Sequence, residues 1–378
     1  MTRNLALLFA SLTLCLSSAA CANTPAQIDS EQASIKVEVV TSGLQHPWGM
    51  TFLPDGRMLV TERTGKLRIV DADGNKSEPL NGLPEILVKN QGGLLDVTID
   101  PMFSENQRIY FSFSEPVSGS EKSSTAVASA ILEEQGLSEL QVIFSARPKI
   151  DTGHHFGSRL VFDREGALFI TLGDRGSQRQ GAQELDSHYG KVVRVLPNGD
   201  IPKDNPYTDN DKALSDIWSY GHRNIQGATL HPQTGELWTH EHGPQGGDEI
   251  NIAEATKNYG WPEITYGEEY GGGEIGDTKK SGMEQPLHYW VPSIAPSGMT
   301  FYTAKTFSDW QGNLLVGSLK FRQLVRLELG DDNKVTHEER IDIGQRVRDV
   351  RQGPDGAVYL LTDHPDGQIL RLIPSNPL

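Results

Sequence analysis

The sequence predicts an all-β fold: a six-bladed β-propeller with loops inserted on one face, the face that gathers its functional residues. Three observations predict it. One hairpin plan recurs six times at spacings of propeller size, no convincing amphipathic helix separates the copies, and a lone strand-like run, SIKVEVV (34–40), precedes the first copy.

The copies are MTFLPDGRMLVTER (50–63), VTIDPMFSENQRIYFSFSE (97–115), RLVFDREGALFITLGD (159–174), ATLHPQTGELWTHEHG (228–243), MTFYTAKTFSDWQGNLLVGSLK (299–320) and VRQGPDGAVYLLTD (350–363). Each is an apolar run, a Pro/Asp/Gly turn, a second apolar run and a polar end, the signature of a hairpin with alternating burial. With Gly56, Asn106, Gly166, Gly235, Gly312 and Gly356 as markers, the gaps are 50, 60, 69, 77 and 44 residues. Blades usually run ~40 to 50 residues, so the excess in the middle gaps reads as loops inserted on one face. SIKVEVV is placed to close the ring with the last blade. Two stacked β-sandwiches would also be all-β, but they do not predict one recurring hairpin with chemistry at the same end.

Three segments are expected: a signal peptide over 1–22, a disordered leader over 23–33, and a single propeller domain over 34–378. The signal reading rests on Arg3, the apolar run 5–16 and the small residues SSAACA, a run too short to span a membrane. Cys15 lies inside the signal and Cys21 at its cleavage edge, so no disulfide is expected in a mature, periplasmic or secreted chain. Lipid attachment at Cys21 is disfavoured because Ser18 stands where a lipoprotein signal carries a larger apolar residue.

The net charge of −16 and pI of 5.1, without any basic run, argue against nucleic acid as a partner. The acidity serves solubility, and it also leaves room for a hard cation such as calcium.

If the six turns share one face of the ring, the six open ends converge on the other. The residues arriving there are Gln91, His155 with Asp174, Arg223 and Asn224 facing Gly243 and Pro244, Ser297 with Lys320, and Arg346 with Arg348. Each arginine alone is accounted for by a salt bridge, since Asp174, Glu241, Asp349 and Asp363 are close in sequence. Four cations at one mouth point instead to a flat polycarboxylate ligand, which guanidinium forks suit. With the hairpin turn centred between Arg164 and Glu165, His155 falls opposite Asp174, ~5 Å away. That pairing is either a structural clasp or a base held in one tautomer by its carboxylate.

His154 points to the other side of the strand and reads as structural. His240 and His242 flank Glu241 and have no third ligand at zinc-like spacing. DADGN (71–75) echoes a calcium loop but lacks the rest of the pattern, so it reads as a turn. In 243–262, glycines, carboxylates and exposed carbonyls fit either calcium or plain loop packing around Trp261.

The strings GLQHPWGMTFLPDG, QGGLLDVTIDP, HHFGSRLVFDREGALFITLGDRG, SYGHRNIQG, HGPQGGDEINIA, NYGWP, IAPSGM, GSLK and RVRDVRQGPDG resemble, in order, the soluble periplasmic quinone-dependent sugar dehydrogenases, specifically the aldose sugar dehydrogenase branch of the glucose/sorbosone dehydrogenase family. The resemblance runs from about Val37 to the C-terminus. It implies a six-bladed propeller, calcium (Ca2+), the cofactor pyrroloquinoline quinone (PQQ), and oxidation of an aldose at its anomeric carbon to the lactone. It implies His155 as catalytic base, Asp174 as the carboxylate orienting it, and Arg223 as the group steadying charge on the reduced quinone. Gln91, Asn224, Lys320, Arg346 and Arg348 are implied as further cofactor contacts, and the carbonyls of Gly243 and Pro244 as the seat of a calcium ion. Glu249, Tyr259 and Tyr270 are similar to a second calcium site.

Where glucose-type members carry an acidic residue before the base, this chain has His154, and its loops after the fourth blade are shorter, so narrow glucose specificity is not implied. The expected partners are a small aldose and an external electron acceptor, with the chain a monomer or weak dimer lacking a transmembrane segment. Two other functions compete. A calcium-dependent lactonase would present carboxylate and amide ligands to a central ion, and a binding propeller would have no need of the His155–Asp174 pair.

Overall fold

The computed structural model describes residues 25–375. Six antiparallel sheets follow one another along the chain, with innermost strands Pro47–Phe52, Leu94–Ile99, Leu160–Phe162, Ile225–Leu230, Pro296–Phe301 and Val347–Gln352. These strands contact one another in that order and the last meets the first, so the sheets are the blades of a closed six-bladed propeller. The first blade has three strands, the next four blades have four each, and the last has five. The last sheet is completed by Ser34–Leu44, which pairs with Gly367–Pro374 and joins the two ends of the chain as the sequence predicts. The leader expected to be disordered is ordered in its described part: Gln27–Asp29 adds an outermost strand by pairing with Ser34–Lys36. The signal segment and Cys21 lie outside the described residues.

The core is divided among the clefts between blades. Each of the six adjacent pairs encloses its own apolar cluster, for example Trp238, Ile250, Met299 and Val316 between blades four and five, and Ile35, Leu315, Val358 and Leu370 between five and six. Residues on both faces of the strands are therefore buried, and the second strands Met58–Glu62, Leu168–Thr171 and Leu314–Ser318 are buried throughout. The alternating burial read from the sequence holds mainly in outer strands such as Val335–Asp342.

Two features of the hairpins position the site. The third-blade turn ends in Gly166 at φ 89°, a left-handed residue that adds a bulge, so Leu160 pairs with Ile170 and the register is one residue away from a turn centred between Arg164 and Glu165. At the opposite end, five of the six innermost strands carry a register shift, between Pro47/Met50, Leu94/Val97, Ile225/Gly227, Pro296/Met299 and Val347/Asp349. Bulges re-aim side chains and end pairing, and here they all lie at the mouth. In the third blade the disruption extends further. Regular pairing stops at Leu160, beyond which only Arg159 and Ser158 still bond the Thr171 backbone, and His155, Gly157 and Ser158 take φ of 50°, 64° and 95°.

Candidate active site

Three adjoining cavities occupy the bulged end of the propeller. The first, about 530 Å³, has Trp48, Leu95 and Phe156 as apolar walls and Lys320, Arg346 and Arg348 as its charged side. The second, about 310 Å³, holds His155, Asp174, Arg223, Pro244, Trp261 and Tyr270. A third, outer one of about 430 Å³ shares Pro244 and Tyr270 with the second and Lys320 with the first. Consecutive residues of one irregular loop line the first two, His155 facing one and Phe156 and Gly157 the other.

His155 Nδ1 lies 2.6 Å from Asp174 Oδ1, the contact the hairpin argument anticipated, though a coil and not a cross-strand pair makes it. Three neighbours fix the coil. The His155 N–H donates to Gln91 Oε1 at 2.8 Å, Gly157 N–H donates to Asn224 Oδ1 at 3.2 Å, and Gly173 leaves room for the His155 carbonyl, which a Cβ there would meet at 2.3 Å. Asp174 is 1% exposed; Oδ1 also receives the Gly176 N–H at 2.7 Å and Oδ2 the Trp261 indole N–H at 2.8 Å. Burial opposes ionisation of this carboxyl, but the hydrogen bond and charge of His155 and the charge of Arg223 hold its pKa below the usual range. An ionised carboxylate only accepts, so Nδ1 carries the proton and Nε2 keeps the lone pair. Burial is also the main reason the imidazole holds its proton less tightly than usual; Asp174 opposes this and Arg223 adds to it.

Arg223 donates from Nη1 to the carbonyls of His242 (2.9 Å) and Gly243 (2.8 Å), its guanidinium carbon lies 5.3 Å from the Trp261 ring centre, and its Nε has no partner. Glu241 braces its backbone, taking the N–H groups of Arg223 and Asn224 on Oε2 while Oε1 is held 3.0 Å from His222 Nδ1. Arg346 and Arg348 converge on Asp363 at 3.1 and 3.0 Å. Lys320 is exposed, its ammonium 5.3 Å from the Phe321 ring centre, and no carboxylate among the described residues pairs with it.

The proposed cation ligands are placed unevenly. The Gly243 N–H donates to Asp248 Oδ1 at 2.9 Å and its carbonyl is one of the acceptors of Arg223; Pro244 lines the second and third cavities. Tyr259 has its hydroxyl on the Ile252 carbonyl and the Glu254 N–H, and its ring stacks on His222, so this hydroxyl is not offered to a cation. Glu249 pairs across the strand with Glu241, and burial beside that carboxylate pushes its pKa up. Tyr270 is 72% exposed at the cavity rim. The structure therefore does not gather Glu249, Tyr259 and Tyr270 into a shared cage, and among the described residues no group of three His, Cys, Asp or Glu forms one. Asp71 is used up in its own turn, accepting from Asp73 and Asn75, while His240 is buried against Gly227 and His242 is hydrogen-bonded to the Pro296 carbonyl.

Several residues of the site escape a reading by hairpins. Trp48, Leu95 and Phe156 form one small apolar cluster, Asp248 ties Gly243 to residues 293–295, and Trp261 reaches Asp174 from an insertion of the next blade. The sequence marked that last one through the string NYGWP and as a packing centre of the loop 243–262, without giving it a partner. Beneath the first cavity the channel is closed by Arg159, 2% exposed, whose Nη1 lies 3.2 Å from Asp96 and 3.0 Å from Asp349.

The sequence model of the family described as Glucose / Sorbosone dehydrogenase matches residues 44–371. Aldose sugar dehydrogenase YliI of Escherichia coli is 46% identical over 352 residues, which cover 91% of this chain and 94% of that protein. The crystal structure of the soluble aldose sugar dehydrogenase from Escherichia coli in the apo-form matches with a TM-score of 0.87 at 44% identity, covering 90% of this chain and 99% of that one. The PQQ-bound form of the aldose sugar dehydrogenase from Streptomyces coelicolor matches with a TM-score of 0.74 at 27% identity, covering 93% and 99%.

Proposed function

Because the chain belongs to the glucose/sorbosone dehydrogenase family, we propose that it oxidises aldose sugars at the anomeric carbon to the lactone, with PQQ as bound cofactor and an external acceptor taking the electrons. One observation carries the reading: a cavity with a cationic wall of Lys320, Arg346 and Arg348 adjoins a second cavity that holds a histidine fixed by a carboxylate. The donor set fits a flat, anionic, aromatic group, since Lys320, Arg346, Arg348 and Asn224 are joined by apolar walls at Trp48, Leu95 and Phe156. Lys320, Arg346 and Arg348 would hold the carboxylates of PQQ, with Gln91 and Asn224 in the same cavity and Arg223 beside it. When bound, the quinone supplies the two-electron acceptor that no side chain provides.

The chain's own residues handle the proton and the placement of the sugar. His155 Nε2 accepts the proton of the anomeric hydroxyl, and Asp174 steadies the imidazolium that results while fixing the ring's orientation through Nδ1. Gln91 holds the His155 backbone, and Arg223 places positive charge beside the base, favouring neutral imidazole before the reaction and anionic oxygen during it. The carbonyls of Gly243 and Pro244 would seat calcium, which polarises oxygen atoms near it. Lactonase activity is disfavoured because the mouth presents guanidinium, ammonium and imidazole groups. The reading implies a place outside the cytoplasm; among the described residues no helix is long and apolar enough to cross a membrane.

The test is reconstitution of apo-protein with PQQ and calcium, followed by dye reduction across a panel of aldoses. Turnover that requires both sugar and quinone supports the proposal; a flat response across the panel overturns it in favour of a non-catalytic propeller.

A further inference from the structure

We propose that Trp261 is a positioning residue for the base: its indole N–H occupies the second oxygen of Asp174, fixing the carboxylate so that the first oxygen meets His155 and turns the imidazole toward the sugar cavity. This rests on the reading of His155 as base.

The geometry is that of a carboxylate clamped between blades. Asp174 belongs to the third blade's loop and takes two donors from it, His155 and the Gly176 N–H, both on Oδ1. Oδ2 receives its hydrogen bond from Trp261 Nε1 at 2.8 Å, on an insertion of the fourth blade. Without that donor the carboxylate is held along one edge and can swing about it. In a buried site, where each hydrogen bond is worth more than in water, two donors competing with His155 also drain negative charge from the oxygen that faces the ring. The base is then oriented without being made so basic that it stays protonated.

Trp261 is held independently of Asp174. Its N–H donates to the Gly221 carbonyl at 2.8 Å, its carbonyl accepts from Gln183 Nε2 at 2.8 Å, and its side chain is buried. Its ring lies 5.3 Å from the Arg223 guanidinium carbon and 5.8 Å from that of Arg179. A Trp261→Phe substitution keeps the pinned backbone and an aromatic face beneath the cations, and removes the N–H together with part of the indole. The charged and titratable groups around the pair are Arg223, His154, Arg175 and Arg179, the last paired with Glu269 at 2.6 Å; the substitution touches none of these charges.

The experiment follows the His155 imidazole by NMR in apo-protein, wild type against Trp261→Phe, beside the pH profile of kcat/KM in the reconstituted enzyme. Loss of one hydrogen bond to a carboxylate should raise the proton affinity of His155 by about 3- to 10-fold. The acid limb of kcat/KM should move to higher pH by the corresponding amount, and in an Asp174→Asn background the substitution should leave the His155 proton affinity without further change. A histidine proton affinity and an acid limb identical to wild type would overturn the role. If Trp261→Phe fails to fold, wild-type protein decides: the Trp261 indole proton resonance should move with the His155 titration, and a resonance flat across it overturns the inference. The NMR arm needs neither sugar nor quinone, so its outcome is separate from that of the dehydrogenase reading.

Discussion

Arg348 Nη2 donates to Asp363 Oδ2 at 3.0 Å, and the same oxygen receives Arg346 Nη2 at 3.1 Å, so one carboxylate gathers two of the cations that line the main cavity before any ligand arrives. His46 holds the other oxygen at 3.1 Å. Burial opposes ionisation of Asp363, yet the charge of Arg348, the hydrogen bond of His46 and the pairing with Arg346 keep its pKa well below the carboxylate range. A depressed folded pKa contributes stability that is present above the unfolded value of about 3.9 and is lost as pH falls toward the folded one. Asp363→Asn should therefore cost about 1–3 kcal/mol at pH 7, and the gap to wild type should narrow from about pH 4 downward. Urea unfolding across that range measures it, and a gap constant with pH would contradict the pairing.

This pairing was half legible in the sequence. Arg346, Arg348 and Asp363 all stood at the open end of the sixth hairpin, and salt bridging was one of two readings offered for each arginine. The structure joins the two readings, because arginines already paired also line the cavity proposed to hold an anionic ligand. The ring itself was legible for a simple reason: each blade repeats one hairpin, and repetition survives in sequence where individual contacts do not. The register at His155 was not legible, because a bulge at Gly166 and left-handed residues at His155 and Ser158 break the two-residue periodicity on which the strand argument depends. The contacts that Trp261 and Glu241 make in the site were not legible either. Trp261 acts across blades, on Asp174, and nothing in local spacing encodes a neighbour on the next blade; Glu241 lies opposite Ile225 within its own hairpin and braces the Arg223 backbone just beyond the strand end. The engagement of the Tyr259 hydroxyl with the backbone at 252 and 254 was likewise not legible, since residue type does not encode which partner a hydroxyl takes.

With His155 as the proposed base, its protonation should set the acid limb of activity. Burial lowers the proton affinity of His155 below the ordinary imidazole, and the reaction needs Nε2 unprotonated. kcat/KM should thus be flat near neutrality and fall as pH drops through a pKa below about 6.5. His155→Ala should lose at least ~100-fold in kcat while binding quinone normally. Stopped-flow dye reduction, with quinone uptake read from absorbance, checks both. A limb above 6.5, or turnover near wild type in the variant, would remove His155 from the role.

Calcium should bind weakly at Gly243 and Pro244 until a ligand completes the site. A hard dication takes roughly six to eight oxygens and favours charged ones, whereas this position offers neutral carbonyls, one of them already accepting from the Arg223 guanidinium at 2.8 Å. In NMR titrations of apo-protein, micromolar calcium should leave the Gly243 and Gln245 amides unmoved, and the same addition in the presence of PQQ should shift them, reversibly with a chelator. A shift without the quinone would mean that carbonyls alone suffice.

The cavity floor sets a limit on how far the site can be altered. Arg159 is almost fully buried, lies within 3.2 Å of both Asp96 and Asp349, and donates from Nε to the Gln226 carbonyl and from Nη2 to the Arg348 carbonyl. It therefore ties together the inner strands of blades two, three, four and six directly under the cationic wall. Arg351 also reaches Asp96 and Asp349, at 3.3 and 3.0 Å, so removing Arg159 leaves one guanidinium between two buried carboxylates. Breaking such a network by removing one partner costs about 3–5 kcal/mol, so Arg159→Met should unfold at markedly lower urea. Its loosened Arg348 backbone should also weaken quinone binding, with His155 proton affinity unchanged because the Asp174 clamp lies in the neighbouring cavity. Equal stability in Arg159→Met and wild type would show that Arg351 alone satisfies both carboxylates and that the floor does not support the wall above it.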